Sequence, residues 1–183
     1  DKYSHPNFPG FPLTTPDVYR AKMFIDELKE FEKKGEFPHL TYLFLPCDHT
    51  NGTSPGSPTP RAMVADNDLA LGMVVEAVSN SKFWPKTCIV VTEDDPQNGF
   101  DHVDGHRTVG LAISPYSRKR GVDSTNYNQT GMVKTIELIL GLPPVSGSGL
   151  RSARRDIGLV AARKVSPLLL SVKSPPRQST HWA

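Results

Sequence analysis

The run Cys88–Thr92, CIVVT, constrains this chain more than any other feature. It is apolar or β-branched at every position, with no polar alternation, the pattern of a strand buried on both faces. Such a strand needs neighbours at its edges and cover above and below. Upstream, Leu40–Leu45 (LTYLFL) is a second apolar run of strand length, stopped by Pro46, which has no N–H for a ladder. Between the two, Thr59-Pro60 opens a helix by cap and first-turn preference. Met63, Ala70, Leu71, Val74, Val75 and Val78 then recur at helical spacing until Ser79-Asn80-Ser81. A strand–helix–strand unit with apolar strands predicts a parallel sheet covered by helices.

The flanking segments fit that scheme. Residues 1–14 are rich in proline and aromatics and read as an irregular lead-in. A helix follows, with Thr15 as its cap, Pro16 at its first position and Asp17 at the positive end of the dipole. Val18, Ala21, Phe24, Ile25, Leu28 and Phe31 form its apolar face, and Gly35 ends it after Lys33 and Lys34. Val109–Ser114 is a third strand, and Thr130–Leu140 a third helix closed by Gly141. The expected fold class is α/β with a mostly parallel sheet.

After Pro144 the pattern weakens. The expected division is a domain over 1–145 and a basic, poorly patterned tail over 146–183. Ile157, Leu159 and Val160 suit a short helix and Leu168–Val172 a short strand, without clear punctuation. Residues 1–145 hold 14 Lys/Arg against 18 Asp/Glu, a balance of −4; residues 146–183 hold 7 against 1, a balance of +6. A basic tail can touch polyanions, but a poorly packed segment is the simpler reading. Cys47 and Cys88 lie at strands and read as buried thiols. No apolar run is long enough to span a membrane and no signal peptide is visible. The chain begins at Asp1, as after leader removal or in a fragment.

Two polar clusters follow strand ends: Asp48-His49-Thr50 after LTYLFL, and Glu93-Asp94-Asp95 after CIVVT. The second continues through Asn98, Asp101, His102, Asp104, His106 and Arg107. In open α/β sheets ligands bind beyond the carboxyl ends of the strands, so both clusters should meet on one rim. Three adjacent carboxylates repel one another and call for a cation. A divalent ion is the direct solution: carboxylates with nearby imidazoles suit zinc, manganese or iron, and calcium is also compatible. The alternative is that these acids are solvated or paired with Arg107 and Lys86. Pro96 and Gly105 occupy ligand positions of a calcium loop and exclude one. His49 is the better placed histidine. His102 and His106 share helical spacing, but Gly99 and Gly105 argue for a loop. Arg107 can hold a phosphate or balance the acids.

The residues LPCDHTNGTSPGSPTPRAMVADNDLALG, FWPKTCIVVTEDDPQNGFDHVDGHRT, ISPYS and IELILGLPP resemble the bacterial phosphoesterase family that includes phospholipase C and some acid phosphatases. The resemblance covers about residues 5–145. It implies a three-layer α/β/α sandwich of alkaline-phosphatase-like type, here in part, and metal-dependent hydrolysis of phosphate esters through a hydroxyl nucleophile. It makes Asp94 and Asp95 metal ligands, puts His49 near the phosphate or leaving group, and matches Asp101 and His102 to a DHV element, with His102 and His49 as catalytic candidates. Arg107 becomes the phosphate-binding candidate. The resemblance implies a phosphate-ester substrate, no nucleic-acid partner, and a periplasmic or secreted location. The family's nucleophile and remaining metal ligands belong to an N-terminal half that no segment here matches. The isolated chain is therefore expected to be inactive, and a truncated binding module with a basic tail is the competing reading.

Overall fold

The computed structural model describes residues 3–94, 107–117, 121–143 and 166–172. The elements run α1 (Asp17–Lys34), β1 (Thr41–Leu45), α2 (Pro60–Ser79), β2 (Thr87–Glu93), β3 (Gly110–Ile113), α3 (Gln129–Leu140) and β4 (Ser166–Val172), with short 3₁₀ turns at Cys47–His49 and Trp84–Lys86. This is a mixed α/β chain, as the sequence predicts. No helix among the described residues is long and apolar enough to cross a membrane.

The three long helices begin and end for local reasons. Thr59 caps α2, its hydroxyl accepting from the Ala62 N–H at 3.2 Å, with Pro60 in the first turn. Asn128 caps α3, accepting from Gly131 N–H at 2.8 Å, and Gly141 closes it in the left-handed region at φ 69°. Gly35 closes α1 in the same way. The start of α1 differs from expectation by one residue. Pro16, not Thr15, is the cap, and it offers no side-chain acceptor. The Asp66 carboxylate on α2 accepts from the Asp17 N–H at 2.6 Å instead, so a neighbouring helix satisfies that first donor.

The sheet has strand order β1-β4-β2-β3. β4 pairs parallel with both β1 and β2, and β3 pairs antiparallel with β2. The antiparallel β3 departs from the expected run of parallel strands. A parallel return requires a crossover, usually helical. The polar segment between β2 and β3 offers no apolar helical repeat to cover the sheet. The inner strand β4 comes from the segment read as a tail. Its Pro167 stands near the strand start, where a missing N–H is tolerated.

β2 divides the core. Ile89 and Val91 pack with Ala21, Phe24 and Leu28 of α1, Leu43 and Leu45 of β1, and Ala70, Val74 and Val78 of α2. Cys88 and Val90 pack with Met132 and Ile136 of α3. The alternation follows from the two-residue period of a strand. It explains why Cys88–Val91 has no polar position: each face of β2 meets its own helices.

Candidate functional site

The carboxyl ends of β1 and β2 are level. Leu45 and Glu93 are both in register with Val172 of β4. Both strands run parallel to β4, so the loops that leave them, Asp48-His49-Thr50 and Glu93-Asp94, emerge at one rim. The separation is two strand spacings, roughly 10 Å. Arg107 lies exposed just before β3, whose antiparallel course starts level with Thr92. Asp95, Asp101 and His102 lie outside the described residues.

The β1 side of the rim is a tight turn. Pro46 and Cys47 carbonyls accept from His49 and Thr50 N–H at 3.1 and 3.0 Å. Asp48 is buried at 4 % exposure and His49 is half-buried. Thr50 has φ 57° and ψ 169° and is the only non-glycine residue with positive φ among the described residues. That region belongs almost entirely to glycine, and a β-branched residue there costs roughly 1–3 kcal/mol of backbone strain. Thr50 is held by burial at 2 % exposure, and its hydroxyl accepts from Gly52 N–H at 3.2 Å. Its carbonyl lies 3.1 Å from His49 Nδ1. The Phe11 ring meets the imidazole edge to face, centroids 5.5 Å apart.

The β2 side is fixed by residues that the strand pattern did not single out. Gln129, the first residue of α3, donates its side-chain amide to the Glu93 carbonyl at 2.6 Å and to the Asp94 carbonyl. The Glu93 carboxylate accepts from Val109 N–H at 3.3 Å, so one of the three adjacent acids serves the β2–β3 junction. Asp94 is exposed at the rim. A glutamine directly after the Asn128 cap was the available signal for the clamp.

Beneath β1 lies a buried polar network that sequence reasoning missed. Arg20 is fully buried and donates to the carbonyls of Gly10 (3.1 and 2.7 Å), Pro12 (2.9 Å) and Thr15, and to Asp17 Oδ1 at 3.1 Å. Asp17 Oδ2 accepts from Cys47 N–H at 2.8 Å and from Asn67 at 2.9 Å, and Asn67 also donates to the Leu45 carbonyl at 2.9 Å. Burial raises the Asp17 carboxyl above its ordinary range, against the lowering pull of Asn67, the Cys47 N–H and Arg20. The signal was Asp17, Arg20 and Asn67 falling on otherwise apolar helix faces.

Asp17, Cys47 and Asp66 bring one ligand atom each within 4.8 Å of one another, a group that could hold a metal ion. The surrounding chemistry argues for a closed structural tie. The Arg20 guanidinium already supplies the positive charge. Burial pushes the Cys47 thiol up to about 12, aided by Asp17, so it keeps its proton and is a poor ligand. The thiol instead lies 3.3 Å from the Thr15 carbonyl, to which it donates. Cys47 and Cys88 are both free and buried, as expected.

Comparison with curated proteins and with solved structures gives no match. A family model does match, over residues 2–143, a span that contains every rim residue described above, and the chain belongs to the Phosphoesterase family.

Proposed function

We propose that the rim at the carboxyl ends of β1 and β2 forms the metal- and phosphate-contacting part of a site that hydrolyses phosphate esters. The observation that carries the reading is the level placement of Leu45 and Glu93 across β4, which puts the Asp48-His49 and Glu93-Asp94 loops on one edge of the sheet. Family membership supplies the reaction class. The division of β2's apolar residues between two sets of helices supports a three-layer α/β/α arrangement of alkaline-phosphatase-like type.

In this reading Asp94 and Asp95 hold a divalent ion. The donor set fits: two hard carboxylates adjacent in sequence, of which Asp94 directly follows β2 with its main chain clamped by Gln129, beside a Glu93 engaged elsewhere. When bound, such an ion polarises phosphoryl oxygens and lowers the pKa of an attacking hydroxyl. Zinc, manganese and calcium all suit oxygen-rich sites of this kind. His49 and His102 serve the phosphate or its leaving group by holding or moving a proton, and Arg107 holds phosphate oxygens. The nucleophile comes from an N-terminal half of a longer protein, whose location is the periplasm or the cell exterior. The chain alone is expected to show little turnover.

Isothermal titration of the chain with manganese or zinc tests the metal assignment. Binding heat is expected, and an Asp94→Asn, Asp95→Asn double variant should abolish it. Equal heats from the two proteins would overturn the assignment.

A further inference from the structure

The DHT turn holds a backbone conformation that only a specific arrangement maintains, and it lies against the one described histidine on the rim. Thr50 keeps φ 57° although it is β-branched. Its side chain is buried, and its hydroxyl accepts from the Gly52 N–H. The consequence falls on the carbonyl, which comes within 3.1 Å of His49 Nδ1. A carbonyl oxygen only accepts hydrogen bonds. Nδ1 must therefore carry the proton. In the neutral ring the lone pair then sits on Nε2, the nitrogen that has no hydrogen-bond partner among the described residues.

The ring plane is set as well. Phe11 meets the imidazole at an interplanar angle of 86°, and it stacks on Phe44 of β1 with centroids 6.3 Å apart. The carbonyls of Gly10 and Pro12, on either side of Phe11, are both bonded by the buried Arg20. The irregular lead-in is thus tied down at the two residues that aim Phe11.

We propose that Thr50 is a positioning residue. Its strained carbonyl locks His49 in the Nδ1–H tautomer and leaves Nε2 as the nitrogen that accepts a proton or contacts the phosphate group, with Phe11 fixing the ring. The assignment of Nε2 to phosphate chemistry rests on the phosphoesterase reading above; the lock itself does not.

The test is nitrogen NMR of the full chain labelled at histidine, followed through a pH series to its alkaline limit. The His49 signals, assigned by their loss in His49→Gln, should show a pyrrole-type Nδ1 and a pyridine-type Nε2. This reverses the preference of free imidazole side chains, so the default outcome and the expected one differ. Thr50→Gly suits the backbone angle, keeps the fold and removes the hydroxyl anchor; the two tautomers should then mix. Phe11→Ala probes the ring contact independently, and should broaden the His49 signals through ring motion. A pyridine-type Nδ1 in the unaltered chain overturns the lock, and an undisturbed tautomer in Thr50→Gly overturns the role of Thr50. Addition of inorganic phosphate should move Nε2 more than Nδ1. A locked tautomer whose Nε2 ignores phosphate upholds the positioning claim and counts against the phosphoesterase reading of the rim.

Discussion

At the scale of single residues, the Arg20–Asp17 pair carries more than its place in a helix suggests. Asp17 accepts from Arg20, Cys47 and Asn67, all buried, so its removal leaves the Arg20 charge without its carboxylate and takes an acceptor from Cys47 N–H and Asn67. Breaking a buried pair from one side costs about 3–5 kcal/mol. Asp17→Ala is expected to lower unfolding stability by that amount in urea denaturation. Asp17→Asn, which keeps an acceptor for Cys47 N–H, should fall between. The two thiols give a second expectation. Burial pushes Cys47 up to about 12 and Cys88 up to about 11, whereas an unfolded thiol ionises near ~8.5. Between those values the unfolded chain binds fewer protons than the folded one. The thiol contribution to stability is therefore complete below ~8.5 and is lost as pH rises toward the folded values, at up to about 1.4 kcal/mol per pH unit for each thiol. A Cys47→Ala, Cys88→Ala double variant should lose that part of the alkaline slope in denaturation series above pH 9. Native protein at pH 8.5 should resist iodoacetamide until unfolded.

At the scale of elements, the start of α3 sets the β2 rim. Asn128 caps the helix and Gln129 clamps the strand end, two adjacent residues serving two elements. Asn128→Ala is expected to cost about 1 kcal/mol, the usual loss of a cap. Gln129→Ala should change stability little more but weaken the metal binding proposed for Asp94, so the two variants should separate in titration calorimetry although they are sequence neighbours. The elements themselves were legible in the sequence wherever local chemistry decides them. Thr59-Pro60, Gly35 and Gly141 mark boundaries because caps and left-handed glycines act within a few residues. CIVVT announced burial on both faces because every position is apolar or β-branched. What remained hidden depends on distant partners. Asp66 replaces Thr15 as the source of the α1 cap across 49 residues of sequence. The antiparallel β3 follows a polar segment whose sequence carries no apolar helical repeat for a crossover. The strain at Thr50 has no signature in DHT, since nothing about threonine announces a glycine conformation. The rim was legible as a convergence of strand ends, but the tautomer-setting contact was not.

At the scale of the whole molecule, the sheet depends on its last strand. β1 and β2 are joined in sequence by α2 but have no hydrogen bonds to each other; each pairs with β4. The strand–helix–strand unit thus leaves a gap one strand wide, and Ser166–Val172 fills it. The same strand levels Leu45 with Glu93, so the relative height of the two rim loops is set by β4 rather than by α2. A strand with neighbours on both sides uses every N–H, so proline at its middle removes a ladder bond whichever neighbour receives it. Leu169→Pro is expected to destabilise the chain by about 3 kcal/mol or more, a large share of the roughly 5–15 kcal/mol that holds a domain together. The loss should be cooperative across the gap. Amides of β1 and β2 should lose hydrogen-exchange protection together, while those in the middle of α2, bonded within their own helix, keep more of theirs. The metal binding proposed for the rim should weaken in the same variant, because Asp94 leaves a strand whose inner edge is no longer paired. Full protection of β1 and β2 amides in Leu169→Pro would show instead that the two strands hold their places without the C-terminal segment, and the rim would then owe its geometry to α2 alone.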